Sequence, residues 1–251
     1  MIDSHAHYLD RAFDNDRDAL LRSLAANGVE CVVEAGTDEE SSLAARELAH
    51  EYENVYFAAG LHPEYAEKHG DIPAWLPGLL MDEKCVAVGE IGLDHHYDTP
   101  SREVQRRAFA LQLELARDVR KPVVVHDREA HAECMELVKA FPTVRGVFHS
   151  FSGSAETARE LVKLGWYVSF SGVITFKNAV KTVQAAEAVP LERILTETDC
   201  PYLAPHPFRG KRNDSTLVKY IIEKLAQIKG AAYEDIERVT AQNARDFYGI
   251  A

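Results

Sequence analysis

The chain has 251 residues, 46% hydrophobic and 27% charged, which is the balance of a globular protein and excludes a disordered or fibrous one. Lysine and arginine number 28 against 40 acidic residues, a net charge of −12, so no generally basic nucleic-acid-binding surface is expected and a polyanionic partner would need bound cations and a local basic patch. No run approaches the roughly 18 apolar residues of a membrane helix, and Asp3, His5 and His7 stand where a signal peptide needs an apolar stretch; a cytoplasmic protein without membrane contact is expected.

Taken in order, apolar runs with strand character alternate with helical patterns. The opening residues 1–4 read as a first strand, ending at His5 and His7, two histidines that alternation places on one face. Residues 30–35 read as a second strand closed by Gly36, 38–52 as an alanine-rich helix, and 55–59 as a third strand. A proline-punctuated helix over 71–83 leads to a fourth strand, 85–88, before Gly89-Glu90. The amphipathic stretch 101–119 reads as a long helix, and 122–125 as a fifth strand ending at His126. Helix 128–140 then leads to strand 145–148 and His149, helix 155–164 to strand 166–170, and helix 178–188 to strand 194–196, just before Asp199. Helical stretches at 213–228 and 233–247 follow.

Eight βα repeats at this length predict a (β/α)8 TIM barrel, one domain over residues 1–251, and no Gly-x-Gly-x-x-Gly follows the first strand to suggest a doubly wound nucleotide-binding sheet. The four cysteines, Cys31, Cys85, Cys134 and Cys200, are far apart and form no C-x-x-C pair, as in a reducing compartment.

In such a barrel the carboxyl ends of the strands converge on one mouth, and the polar residues found there are His5, His7, Glu90, His126, His149 and Asp199. A lone histidine on a strand is usually a hydrogen-bonded structural residue. Four imidazoles and two carboxylates at matching strand ends are instead the donor set of zinc, manganese or another divalent cation, enough for two ions.

The stretches Asp3-Ser4-His5-Ala6-His7, Gly60-Leu61-His62-Pro63, Gly89-Glu90-Ile91-Gly92-Leu93-Asp94, Pro122-Val123-Val124-Val125-His126-Asp127-Arg128, His149-Ser150-Phe151-Ser152-Gly153 and Thr198-Asp199-Cys200-Pro201-Tyr202-Leu203-Ala204-Pro205 together resemble the TatD family of metal-dependent deoxyribonucleases, across nearly the whole chain. The resemblance implies that His5, His7, Glu90 and Asp199 hold one ion and Glu90, His126 and His149 a second. Glu90 would bridge the two, and Asp199 would act as general base. It implies hydrolysis of DNA phosphodiesters with zinc, manganese or magnesium, as a 3′–5′ exonuclease on single-stranded ends. A monomer without an obligate protein partner is expected. Cys200, Asp127 and the Asn213-Asp214-Ser215 run depart from the family pattern; none of them removes a ligand, and what they bear on is substrate preference.

His62, Arg128, Ser152, Arg209 and Lys211 are the candidates for holding substrate. The 209–212 cluster can equally be a solvated loop, and Arg128 can pair with Asp127 or Glu129. Tyr97 and Tyr202 can stack on a base or pack the rim, Glu197 can orient a ligand or line the lower barrel, and Glu34, at the end of the second strand, is another acid near the mouth, with no assigned role, that can equally be surface. No role is assigned to His50, His69, His95, His96, His131 or His206. Two rival functions share these residues: a binuclear amidohydrolase-like enzyme cleaving a small ester, lactone or amide, and a metal-stabilised binding protein, whose structural site would ordinarily be closed by four ligands.

Overall fold

The structure, a computed structural model, describes residues 1–68, 71–97 and 99–250. Eight parallel strands follow one another around a single sheet in sequence order: β1 (Ile2–Ala6), β2 (Cys31–Ala35), β3 (Val55–Ala59), β4 (Cys85–Asp94), β5 (Val123–Arg128), β6 (Gly146–Phe148), β7 (Tyr167–Phe170) and β8 (Ile194–Thr196). The sheet closes where β1 meets the chain just beyond β8: Ala6 bridges Cys200, His7 N–H donates to the Cys200 carbonyl at 2.8 Å and Asp199 N–H to the His5 carbonyl at 3.0 Å. Asp3 locks this seam. Fully buried, its carboxylate accepts Thr198 N–H at 2.8 Å and the hydroxyls of Thr198 and Ser215. This is the (β/α)8 barrel that the sequence predicts.

Alternation along the strands makes two apolar layers. Val32, Phe57, Val88, Val123, Val125, Phe148, Val168, Phe170 and Ile194 belong to the layer shared with the surrounding helices. Their neighbours Val33, Ala58, Ala87, Val124, Val147, Tyr167 and Leu195 fill the narrow interior, which is sealed at the amino end of the strands by Ala241, Ala244, Phe247 and Tyr248. All four lie on the final helix of the barrel (Tyr233–Tyr248), and the Tyr248 hydroxyl donates to the Ser4 carbonyl at 2.7 Å.

Helices α1 (Arg17–Ser23), α2 (Glu39–Glu51), α3 (Leu76–Leu79), α4 (Arg102–Val119), α5 (His131–Ala140), α6 (Ala155–Lys163), α7 (Val180–Ala188), α8 (Val218–Lys229) and α9 (Tyr233–Tyr248) flank the sheet among the described residues, and none is long and apolar enough to cross a membrane. Several bounds differ from the sequence expectation. The helix expected over 71–83 is only the turn Leu76–Leu79, because Pro73, Pro77 and Gly78 deny it backbone donors and stiffness. α1 forms in a stretch to which the sequence reading assigns no element. α8 begins at Val218, behind a 3-10 turn capped by Asp214.

The main revision is β4, which runs on to Asp94 and puts Glu90 inside the strand and not at its end. β5 extends with it to Arg128, pairing Gly92 with His126 and Asp94 with Arg128, so α5 starts three residues later than expected. Gly92 makes this possible: its φ is +143°, and a Cβ there would lie 2.0 Å from the His126 carbonyl oxygen.

Two buried glutamines on α4, seven residues apart and so on one face, hold the ends of β3 and β4. Gln112 accepts Leu61 N–H at 2.7 Å and donates to the Leu61 carbonyl at 3.0 Å; Gln105 accepts Asp94 N–H at 2.8 Å and donates to the Asp94 carbonyl at 2.8 Å. Each amide stands in for a missing strand neighbour. Replacing Gln105 by Leu strands both Asp94 backbone groups, and a loss of about 2–4 kcal/mol is expected, lowering the Tm by roughly 5–10 °C. The exposed Gln242→Leu variant should melt within a degree or two of wild type; equal melting of both variants would remove Gln105 from this role.

Candidate metal centre

His5 is buried and His7 half-buried, and their Nε2 atoms are 3.0 Å apart. The turn that follows them is held by Glu34 on β2, whose carboxylate accepts Tyr8 N–H at 2.8 Å and Leu9 N–H at 3.0 Å. Glu34 is therefore no surface acid: it is 1% exposed, and burial pushes its pKa up to about 7 against the nearby His7 charge and those two N–H groups.

Glu90 sits at the centre, with its two oxygens facing different partners. Oε2 lies 3.4 Å from His5 Nε2 and 3.8 Å from His7 Nε2. Oε1 lies 2.8 Å from His126 Nδ1, 2.8 Å from His149 Nε2 and 3.6 Å from His62 Nε2. Asp199 completes the first group, its Oδ1 3.4 Å from His7 Nε2 and 3.7 Å from His5 Nε2. It reaches this position from a left-handed turn, φ +57°, which aspartate tolerates better than most residues.

Carboxylates behind the histidines set which nitrogen points inward. Asp94 Oδ2 is 2.9 Å from His126 Nε2, leaving Nδ1 toward Glu90. Glu197 Oε1 accepts Ser150 N–H at 2.6 Å and stands 3.3 Å from His149 Nδ1, leaving Nε2 inward. His62 Nδ1 accepts Glu64 N–H at 3.3 Å, so its Nε2 carries the hydrogen that faces the cavity. Sequence reasoning missed Asp94. Its signal was present, since it lies four residues after Glu90 in a stretch that keeps strand alternation if the strand is extended through Gly92.

The charges follow from this packing. Burial disfavours ionised Glu90, but the charges of His149, His5 and His62 and the bond with His126 outweigh it and hold the carboxyl well below its usual range. Asp199 is likewise pushed up by burial and brought below its ordinary value by His7, His149 and His5. Burial lowers His5, with His149 adding to the effect, and takes His62 down to about 3. His7 and His126 resist burial through Asp199 in the one case and Asp94 and Glu90 in the other, and both rise to about 9.

Within this cluster three sets, His5 with His7 and Glu90, His5 with His149 and Asp199, and His62 with Glu90 and His126, bring donor atoms within 4.8 Å of one another. Imidazole nitrogens and carboxylate oxygens converging on shared points, with the outer nitrogens of His126 and His62 already hydrogen-bonded, fit divalent metal ions. All six residues that the sequence singles out as ligands are brought together, and His62 joins them.

The cluster forms the floor of a cavity of about 670 Å³. Arg128 and His62 line it, as do Tyr97, Tyr202 and Tyr65. Arg128 pairs with neither Asp127 nor Glu129; its guanidinium lies 4.0 Å from Asp94 and over the Tyr97 ring. Ser152, Arg209 and Lys211 are exposed and stand outside the wall. Arg209 lies 4.5 Å over Phe176, Lys211 5.9 Å over Phe208, and Arg212 pairs with Asp16, so these cations are held against the loops that follow β7, β8 and β1 and are not among the residues lining the cavity. Of the unassigned histidines, His50 meets Asp82, His96 meets Glu129 and His131 meets Asp127, while His69 lies outside the described residues.

A family model described as TatD related DNase matches residues 2–249. The chain is 39% identical over 253 residues to the uncharacterized metal-dependent hydrolase YabD of Bacillus subtilis strain 168, covering 100% of this chain and 99% of that one. It is 39% identical over 254 residues to the uncharacterized metal-dependent hydrolase YcfH of Escherichia coli K12, covering 99% and 96%. The crystal structure of YjjV, a TatD homologue of Escherichia coli K12, superposes with a TM-score of 0.92 at 30% identity, covering 100% of this chain and 98% of that one. With a matching model along almost all of its length and relatives alike from end to end, the chain belongs to the TatD-related DNase family.

Proposed function

We propose that this member of the family is a metal-dependent hydrolase that cuts DNA phosphodiesters, working as a 3′–5′ exonuclease on single-stranded ends. The observation that carries the reading is Glu90, one buried carboxylate whose two oxygens each face a separate set of imidazoles at the floor of an open cavity. His5, His7, Glu90 and Asp199 would hold one divalent ion and Glu90, His126 and His149 the other. When bound, zinc, manganese or magnesium ions supply Lewis acidity, polarising a phosphoryl oxygen and making water easier to deprotonate.

The chain's own residues do the rest. Asp199 has 14% of its side chain exposed against 4% for Glu90, so it is the carboxylate of the set that a water in the cavity can reach, and it takes that water's proton. Glu90 stays ionised and holds the two halves together. His62, kept neutral by burial, donates from Nε2 toward an incoming phosphate oxygen, and Arg128 gives the wall its one fixed positive charge among the described residues. Asp10, Glu34, Glu64, Glu90, Asp94 and Asp199 line the same cavity, so a phosphate is repelled from it until cations offset that field.

The scarcity of cations in the wall, with Arg209 and Lys211 outside it, favours one second reading: hydrolysis of a small neutral ester, lactone or amide by the same groups. Protein stripped of metal and reloaded with magnesium, manganese or zinc should release nucleotides from 3′-labelled single-stranded DNA. Asp199→Asn should fold and turn over about 10²–10⁴ times more slowly. If no metal restores cleavage of DNA while a lactone or ester panel is hydrolysed, the second reading replaces the first.

Metal uptake should also release protons. With pKa values near 9, His7 and His126 are mostly protonated at pH 7, and a protonated nitrogen cannot bind a cation. Affinity is therefore expected to rise as pH goes from 7 toward 9 and to fall below 7. Against burial, Glu90 and Glu197 raise His149 as well, so calorimetric titration with zinc in two buffers of different ionisation enthalpy should show roughly one to two protons expelled per ion; identical heats in both buffers would mean that the imidazoles were already neutral.

A further inference from the structure

Two tyrosines stand open to water on the cavity wall. Tyr97, just past β4, is 51% exposed, and Tyr202, in the loop after β8, is 53% exposed. At that exposure neither ring contributes much to the core. Each adjoins a different half of the metal centre. The Tyr202 ring lies edge-on to His7, with centroids 6.2 Å apart. The Tyr97 ring lies under the Arg128 guanidinium at 5.5 Å, and that guanidinium is 4.0 Å from Asp94, the carboxylate that orients His126.

Both rings are braced. The Tyr202 hydroxyl donates to Asp10 Oδ2 at 2.7 Å, and the Tyr97 ring meets His96 edge-on at 4.9 Å, with His96 in turn held 2.9 Å from Glu129. The result is a pair of supported aromatic faces, one beside the His7 side of Glu90 and one beside the His126 side. Arg128 alone gives the described wall a fixed positive charge, so the cavity has little with which to grip a phosphate backbone beyond the metal centre. Affinity for a nucleic acid must then come from its bases, and aromatic faces supply it whatever the sequence.

We infer that Tyr202 and Tyr97 are stacking platforms for the bases on the two sides of the cleaved phosphate, so that the substrate must present two unpaired nucleotides at the scissile link. The inference rests on the phosphodiesterase reading and adds which residues hold the bases and how many nucleotides must be unpaired. A base inside a duplex has both faces covered by its neighbours and cannot lie on either ring, so a blunt duplex end has to fray before it is cut.

The test removes a base from the substrate and a ring from the protein. On single-stranded oligonucleotides, an abasic residue on either side of the terminal link should raise the wild-type KM about tenfold. Tyr97→Ala and Tyr202→Ala should each abolish the response to one of the two abasic positions, whereas Tyr97→Phe and Tyr202→Phe should retain it. In the Asp199→Asn background with metal bound, 2-aminopurine at those positions should be quenched, and each alanine substitution should relieve the quenching at one position. An abasic penalty of the same size in wild type and in both alanine variants would overturn the inference, as would the absence of any penalty or quenching in the wild type. Quenching without cleavage of any oligonucleotide would keep the platforms and overturn only the phosphodiesterase reading.

Discussion

The buried carboxylate of Glu90 is the constraint around which the rest is arranged. An ionised carboxylate taken out of water costs several kcal/mol unless it is paired and hydrogen-bonded, and here the repayment comes from imidazoles on β1, β5 and the chain after β6. Those imidazoles would repel one another if all were charged, so each needs its own carboxylate behind it: Asp199 for His7, Asp94 for His126, Glu197 for His149. The centre is thus an alternating set of acids and bases, in which removing any one member leaves an uncompensated neighbour. Such a set is stable only if its geometry is imposed from outside, and the barrel imposes it.

How it does so is visible at the strand ends. Three of the holding groups are polar side chains turned inward from neighbouring elements: Glu34 on the turn after His7, Gln105 on Asp94 and Gln112 on Leu61. Each satisfies backbone groups where the parallel ladder has run out, which is where a loop would otherwise be free to move. Asp3 does the same for the seam between β1 and the stretch around Thr198. The rigidity required of the donors is therefore supplied by a ring of buried hydrogen bonds one layer away from them.

Much of this was legible in the sequence, and for a definite reason. Histidine and acid at the ends of apolar runs have few other places to be in a barrel, so His5, His7, Glu90, His126, His149 and Asp199 could be picked out from period and punctuation alone. The supporting groups were not legible. Gln105 and Gln112 look like the polar positions of an amphipathic helix, and only the three-dimensional path of β3 and β4 shows that they face inward. Glu34 can be placed near the mouth but not told from a surface acid, because a carboxylate has no apolar signature. Arg209 and Lys211 show the opposite failure: their position in the chain, after the last strand, suggests the cavity wall, but which side chains of a loop face the cavity depends on contacts with the neighbouring loops, such as Arg209 over Phe176 and Arg212 with Asp16. Local pattern gives the strands and their polar ends; it does not say which loop lies over which.

The way the barrel closes also bears on its synthesis. His5 and His7 emerge from the ribosome long before Asp199, and the interior layer around Val33, Ala58 and Val124 stays open to water until Phe247 and Tyr248 arrive to seal it. A nascent chain carrying the first six strands already displays His5, His7, Glu90, His126 and His149 with no Asp199 and no closing seam, and would offer loose imidazoles to any stray cation. The complete donor set therefore depends on the last part of the chain twice over, through Asp199 with its seam to β1 and through α9, which covers the interior beneath it.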